Sequence, residues 1–253
     1  MKLTNKEINR INREGLTFTS AQGQNFTIIE YIDCNNCTIK FEDGTVLKNT
    51  IYKNLKKGSI TNPYYKKICG VGFIGEGKYK SKQSEKSTLY YTTWINMIKR
   101  CYDEKYHKKQ PTYKDVIVCE EWHNFQNFAK WFEENYVEGF HLDKDILVKN
   151  NKIYSPETCC FIPREINNLF LLRKQERGKY PIGVKKNFNK YEVVVSKYKK
   201  QYYIGLFETP EEAFQVYKEV KEKYIKELAE KWKELIPSIV YQALYNYKVE
   251  IVD

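Results

Sequence analysis

The sequence predicts an α+β fold in modular form. A small β-barrel is expected over residues 1–62, a Gly/Lys-rich linker over 63–83, and a central helical unit ending in strand–turn–strand–helix over 84–172. A three-stranded sheet plus one long helix follows over 173–236, with a short helix and tail at 237–253. Three observations predict this. Short alternating strand patterns broken by turn residues crowd the first sixty positions, apolar residues recur at helical spacing in the middle, and a strand-rich basic stretch runs into a capped helix near the end. A chain of 253 residues is long enough for two or three compact domains.

In the first unit, Gly15-Leu16-Thr17-Phe18-Thr19, Phe26 to Tyr31 and Cys37 to Phe41 alternate apolar and polar residues. Asn35-Asn36 and Glu42-Asp43-Gly44-Thr45 supply turn chemistry between them. Strands this short suggest a small barrel similar to Src-homology-3-like barrels, closed by Ile60-Thr61-Asn62-Pro63. Cys34-Asn35-Asn36-Cys37 has half the spacing of a zinc knuckle, but a structural zinc needs four ligands and no second C-x-x-C exists. A turn between two ordinary cysteines is the better reading, and no zinc is expected. Gly70-Val71-Gly72-Phe73-Ile74-Gly75 matches G-x-G-x-x-G without the flanking strand and helix that a dinucleotide fold requires, so it reads as polar, flexible linker.

In the centre, Ser87 is placed to cap a helix running to about Asp103, with Leu89, Tyr90, Trp94, Met97, Ile98 and Cys101 on one stripe. A second helix, Glu121 to about Tyr136, carries Trp122, Phe125, Phe128, Trp131 and Phe132. Phe140 to Leu147 reads as a strand with embedded charges, Asn150-Asn151-Lys152 as a turn, and Ile153 to Ile162 as the return; Pro163 then opens a short helix.

The C-terminal stretch is the most informative. Between Arg173 and Gly205 ten basic residues (Arg173, Lys174, Arg177, Lys179, Lys185, Lys186, Lys190, Lys197, Lys199, Lys200) face two acidic ones, a balance of +8 within a chain of net +11. Such a concentration points to a polyanion. Three strands are expected, from Ile182, from Tyr191 and from Tyr202, and Thr209-Pro210-Glu211-Glu212 provides a cap, a first-turn proline and a capping-box glutamate. A helix covering one face of a three-stranded sheet leaves the other free, and lysines with Tyr191 and Tyr202 there suit phosphate contacts and groove insertion. Beyond it, Pro237 ends the long helix, and Ile239 to Tyr247 form a last short helix that either packs back or mediates dimerisation.

Gly183-Val184, Lys190 to Val195, Ile204-Gly205-Leu206-Phe207-Glu208-Thr209, Glu211-Glu212-Ala213 and Tyr217 together resemble the APETALA2-type DNA-binding domain, found in plant transcription factors and attached to phage integrases and nucleases. Lys and Tyr stand where that family carries Arg and Trp. The approach Trp94 to Tyr102, Val118 to Phe125, Leu142-Asp143-Lys144-Asp145, Tyr154 to Cys159 and Asn167-Asn168 are similar to phage HNH (ββα-metal) endonucleases. That resemblance implies a divalent metal, Mg²⁺ or Mn²⁺, held by Asp143 with Asn167 or Asn168, and a histidine activating water. Here Lys144 stands in the histidine's place and Thr158 in that of the central asparagine. Residues 141, 143 and 145 share one face if the strand continues, which gives a rearranged site of His141, Asp143, Asp145 and Asn168. Lys144, in the histidine's place, is counted with His141 and Asp145 as a catalytic candidate, and the alternative is that Asp143 and Asp145 merely pair with Lys144.

Two functional readings follow. One is a phage or mobile-element DNA-binding protein whose HNH-like unit nicks or cleaves DNA. The other is a non-catalytic binder that regulates transcription or blocks a host defence nuclease, such as a CRISPR effector, by engaging a nucleoprotein complex of the host. Double-stranded DNA is the expected partner, with RNA a weaker third idea. A mean hydropathy of −0.68 and no apolar run near the ~20 residues of a membrane span lead to the expectation of no membrane partner. Seven scattered cysteines, an odd count, fit reduced thiols and a cytoplasmic location.

Overall fold

A computed structural model describes residues 3–170, 180–198 and 200–251. The chain forms two compact units, residues 1–86 with 120–128, and residues 87–119 with 129–253. Helices and sheets are mixed, as an α+β fold requires. No helix among the described residues is long and apolar enough to cross a membrane.

In the first unit, helix α1 (Asn5–Arg13) is set by a capping box between Thr4 and Glu7. Strands β1 (Thr17–Thr19), β2 (Asn25–Asp33), β3 (Asn36–Phe41) and β4 (Val46–Thr50) form an antiparallel meander in sequence order, and helix α2 (Tyr52–Lys56) follows. Phe26, Ile28, Tyr31, Cys37, Ile39, Phe41 and Leu55 make its core. The expected barrel is corrected here: the sheet stays open with β1 and β4 as its edges, α1 lies against β2, and Leu55 of α2 enters the core. Arg13 contributes, its guanidinium lying 4.7 Å from the ring centre of Tyr31 and 4.6 Å from that of Tyr52. Asn62 ties the end of the meander to its turns. This buried side chain donates to Asp43 at 2.6 Å and accepts from the Tyr64 amide, while its backbone N–H donates to Gln22.

Residues 63–83 are a packed segment rather than a flexible linker. Phe73 bridges Asn124 in parallel, the two chains exchanging Phe73 N to His123 O and Phe125 N to Phe73 O. The Gln126 side chain accepts from Tyr79 N and donates to the carbonyls of Ile74 and Tyr79. Glycine is needed because the amides of Asn124 and Gln126 fill the space that a Cβ at Gly75 or Gly77 would take. Two residue pairs, β5 (Lys82–Gln83) and β6 (Lys86–Ser87), then make a tight ladder.

In the second unit, helix α3 (Leu89–Tyr102) starts one residue later than expected, at Thr88, and buries Trp94, Met97, Ile98 and Cys101. Asp103 caps the short α4 (Glu104–Lys109). Strand β7 (Ile117–Val118) is followed by a 3-10 turn, Glu120–His123, and then α5 (Phe125–Asn135), so the single helix expected from Glu121 is broken. Strand β8 (Phe140–Asp143) leads into a loop, β9 (Ile153–Tyr154) pairs in parallel with β7, and β10 (Cys160–Pro163) returns antiparallel to β8. Helix α6 (Arg164–Asn167) opens right after Pro163, completing strand, loop, strand, helix.

Strands β11 (Val184–Asn187), β12 (Lys190–Lys197) and β13 (Lys200–Phe207) form the predicted three-stranded antiparallel sheet. Helix α7 (Pro210–Trp232), capped by Thr209, lies across one face of it. Gly183, at φ +77°, lets the Tyr217 ring lie against the backbone where any side chain would collide. Helix α8 (Ser238–Tyr245) packs back onto α7 and buries Val240 and Leu244, as one of the two expectations for it had it. One core runs through Ile146, Cys160, Ile162 and Ile166 of the strand–helix segment and on through Val193, Val195, Ile225 and Leu244, and Glu165 Oε2 stitches them by accepting from Lys231 Nζ (2.6 Å) and Trp232 Nε1 (3.1 Å).

Candidate functional site

The first candidate surrounds the end of β8. Asp143 closes the strand and turns its carboxylate back on the chain: Oδ1 accepts from the backbone N–H of Asp145 (2.9 Å) and of Ile146 (2.8 Å). Such an Asx turn stops the strand, so the alternation 141, 143, 145 ends at Asp143 and Asp145 leaves the shared face. This corrects the expectation that all three lie together. His141 and Asp143 do share a strand face, paired with Ile162 and Cys160, and His141 is exposed. Burial is the main reason the Asp143 carboxyl titrates above its usual range, and the Asp145 carboxylate adds to it, against the lowering by the two amide bonds.

Lys144 is held within the loop as a cation. Its side chain is 9% exposed, and Nζ donates to Asp145 Oδ1 (2.6 Å) and to the carbonyl of Asn151 (3.0 Å). Asn151 completes the loop, donating through Nδ2 to the carbonyls of Lys144 (2.8 Å) and Ile153 (2.6 Å) and accepting from the Ile153 N–H. Sequence reasoning saw Asn151 only as turn-former; its signal was an Asn in a long loop between two strands, a common place for an amide to satisfy loose carbonyls. Thr158 bonds Ile153 O (2.9 Å) and Ser155, fixing the turn before β10. Asn167 ends α6 partly buried, and Asn168 begins the following 3-10 turn, exposed.

One Asp143 oxygen already serves two amides, and Asp145 is neutralised by Lys144. Among the described residues no three His, Cys, Asp or Glu side chains converge as a metal cluster.

The second candidate is the basic sheet. Val193 and Val195 are buried under α7, and strand alternation then fixes the face of every neighbour. Register places Tyr191 with Lys186, Tyr202 with Val195, and Lys197 with Lys200 on the helix side. Tyr191 packs into the core against Tyr180, and Lys197 pairs with Glu227 of α7 at 3.6 Å. The expectation that Lys186, Tyr191, Lys197, Lys200 and Tyr202 line the free face is corrected on that account. Lys185 and Lys190 do lie on it. Arg173, Lys174, Arg177, Lys179 and Lys199 fall outside the described residues.

Residues not singled out from the sequence complete the free face. Ser196 lies opposite Gln201, Val194 opposite Tyr203, and Glu192 between Lys185 and Leu206. Tyr203 is 62% exposed and Leu206 44%, while Phe188, at the tip of the β11–β12 hairpin, is 93% exposed. The parity of Val193 and Val195 would have found them, except that a bulge at Val193/Val194 shifts β13 by one residue at Ile204. Lys190 is held by Glu208 at 2.6 Å, and Glu192 accepts from Asn187 at 3.0 Å. Set against protein-family models, curated proteins and solved structures, the chain matches none.

Proposed function

We propose that this protein binds double-stranded DNA through the free face of the β11–β13 sheet, with the strand–loop–strand–helix segment serving as scaffold beside it. The observation that carries the reading is the composition of that face: exposed Tyr203, Leu206 and Phe188, flanked by Lys185 and Lys190, on a sheet whose other side is sealed by α7. Exposed aromatic and apolar side chains on a firmly backed sheet need a partner to cover them. Lysines at the strand ends fit a polyanionic one, because they reach phosphates while the sheet presents side chains to a groove. The net charge of +11 favours the same partner.

Metal-dependent nicking is the second reading. It is favoured by His141 and Asp143 standing on one strand face, with α6 packed against β8. Supercoiled plasmid incubated with the protein and Mg²⁺ or Mn²⁺ separates the two. Binding without catalysis gives plasmid that is retarded at low salt and uncut. Nicking that disappears in Asp143→Ala establishes the second reading instead.

A further inference from the structure

The first unit divides its charge along the chain. Residues 1–47 carry five basic and six acidic side chains, whereas residues 48–86 carry ten basic and two acidic ones, Glu76 and Glu85, a balance of +8. That matches the basic stretch between Arg173 and Gly205, in a unit to which the β11–β13 sheet does not belong. Helix α2 and its C-cap present Lys53, Lys56 and Lys57 at i, i+3 and i+4, which places them on one side of the turn. All three are exposed, while Leu55, on the other side, is buried in the core. Lys66 and Lys67 are exposed as well, on a backbone held at both ends. Before them the Pro63 carbonyl accepts from Gly75 N–H (2.8 Å), and after them Ile68 and Gly72 exchange bonds of 3.0 and 2.9 Å.

Both groups are anchored at the same end of the β1–β4 sheet. Gly58, directly after α2, lies against the backbone of Thr19, where a Cβ would stand 2.6 Å from the carbonyl oxygen. Four residues on, the Asn62 backbone exchanges two bonds with the Gln22 side chain, donating at 2.6 Å and accepting at 3.3 Å. Thr19 and Gln22 begin and belong to the β1–β2 turn, so that turn is flanked by Lys56 and Lys57 on one side and approached by Lys66 and Lys67 from the other. The carboxylates nearby are taken by neutral donors. Asp43 accepts from Asn62 (2.6 Å) and Thr45 (2.9 Å), Glu42 from Asn25 (3.0 Å), and Glu76 from the Tyr64 hydroxyl (3.4 Å). None of the five lysines forms an ion pair among the described residues.

We infer that this end of the first unit is a second contact for duplex DNA, one that takes backbone phosphates and reads no bases. The inference rests on the DNA-binding reading above and adds a surface separate from the β11–β13 sheet. Every charge in the cluster is a lysine, a point charge that positions a phosphate but lacks the fork that recognises a base edge. Lys53 and Lys57 are like charges one helical turn apart and repel each other, a cost that a polyanion removes. Neutralising phosphates also releases the counterions condensed on the duplex, which drives such binding without sequence preference. The competing explanation is a solvated face whose α2 lysines complement the negative end of their helix, and it predicts no effect on DNA.

The test is duplex affinity across a salt series for the whole protein and two double variants, Lys56→Gln with Lys57→Gln and Lys66→Gln with Lys67→Gln. Each is expected to lower the salt slope by about 1–2, and to weaken binding equally for two duplexes of unrelated sequence. Arginine at the same positions is expected to restore the slope. The pairs stand on separate elements, so one variant that fails to fold leaves the other to decide. Tyr203→Ala, measured alongside, separates this contact from the sheet. A slope lowered by the lysine pairs with Tyr203→Ala unchanged upholds the contact and removes the sheet face from binding. Slopes unchanged in both double variants overturn the contact, whatever Tyr203→Ala does. A wild-type protein retained by phosphatidylserine vesicles or by polyglutamate, and not by DNA, overturns it as well.

Discussion

The Lys144 ammonium lies 2.6 Å from Asp145 Oδ1 and is 9% exposed, whereas its partner carboxylate is 46% exposed. A lysine this enclosed is held by what it bonds: Asp145 on one side and the Asn151 carbonyl on the other. Lys144→Ala is expected to lower stability by about 2–3 kcal/mol, since it leaves a loop carbonyl and a partly desolvated carboxylate without their cation. Lys144→Met, which restores the volume, is expected to recover part of that loss. Urea unfolding of both variants checks this. A Lys144→Ala protein within ~0.5 kcal/mol of wild type would mean that the pair does not hold the loop.

Asp143 is expected to make stability depend on acid. Its folded-state pKa lies above the ordinary 3.8, with burial as the main cause, so between 3.8 and the raised value the native state holds more protons than the unfolded chain. Stability from this group is then fully present below 3.8 and falls as pH rises through that window. Asp143→Asn keeps the acceptor for the Asp145 and Ile146 amides and removes the titration. It is expected to flatten the profile and to leave stability at pH 7 equal or higher. Denaturation midpoints across the acid range decide, and a mutant with an unchanged slope would assign the dependence to another group.

Lys221 gives the opposite sign at alkaline pH. Burial lowers its pKa from 10.5 to about 8, and no ion pair among the described residues offsets the cost. The folded state releases this proton before the unfolded chain does, so stability is expected to rise between pH 8 and 10.5. Lys221→Met should raise stability at pH 7 by on the order of 2 kcal/mol and abolish the rise. Thermal unfolding at pH 7 and pH 10 tests both halves. A mutant that is less stable than wild type at pH 7 would show that the ammonium has a partner.

Gly75 and Gly77 provide a packing test in the first unit. A Cβ at Gly75 would stand 2.2 Å from Asn124 Oδ1, and one at Gly77 would stand 2.3 Å from Gln126 Oε1. Gly75 also has φ +71°, so Gly75→Ala carries backbone strain as well. Losses of about 2–4 kcal/mol for Gly75→Ala and about 1–3 kcal/mol for Gly77→Ala are expected, as for other overpacked or strained sites. Hydrogen exchange of the Phe73 and Phe125 amides should quicken in both variants. Unchanged protection would return 63–83 to the status of a linker.

Much of the architecture was legible because local chemistry and global packing agree. Thr209-Pro210 starts α7 where its cap and fixed φ require, and Pro163 starts α6. The open first sheet was not legible, because alternation within each strand says which face is buried but not whether the edge strands pair with each other. The packed glycine segment was missed for a related reason: its partners, Asn124 and Gln126, lie some fifty residues away and are polar. At the candidate sites the residue types were read but their directions were not. The Asx turn at Asp143 rotates Asp145 off the strand, and the bulge at Val193/Val194 reassigns the tyrosines of β13, so that Tyr203 rather than Tyr202 faces outward.

Affinity for a labelled DNA duplex, followed by fluorescence anisotropy across a salt series, tests the central claim most directly. Tyr203→Ala and Lys185→Glu alter the free face, and Tyr202→Ala alters the helix side of the same strand. The account predicts that Tyr203→Ala weakens binding by about 10-fold and that Lys185→Glu both weakens it and lowers the salt slope by about one. It predicts that Tyr202→Ala leaves binding near wild type. Duplex binding unaffected by the first two substitutions, or no binding by the wild-type protein at low salt, would contradict it.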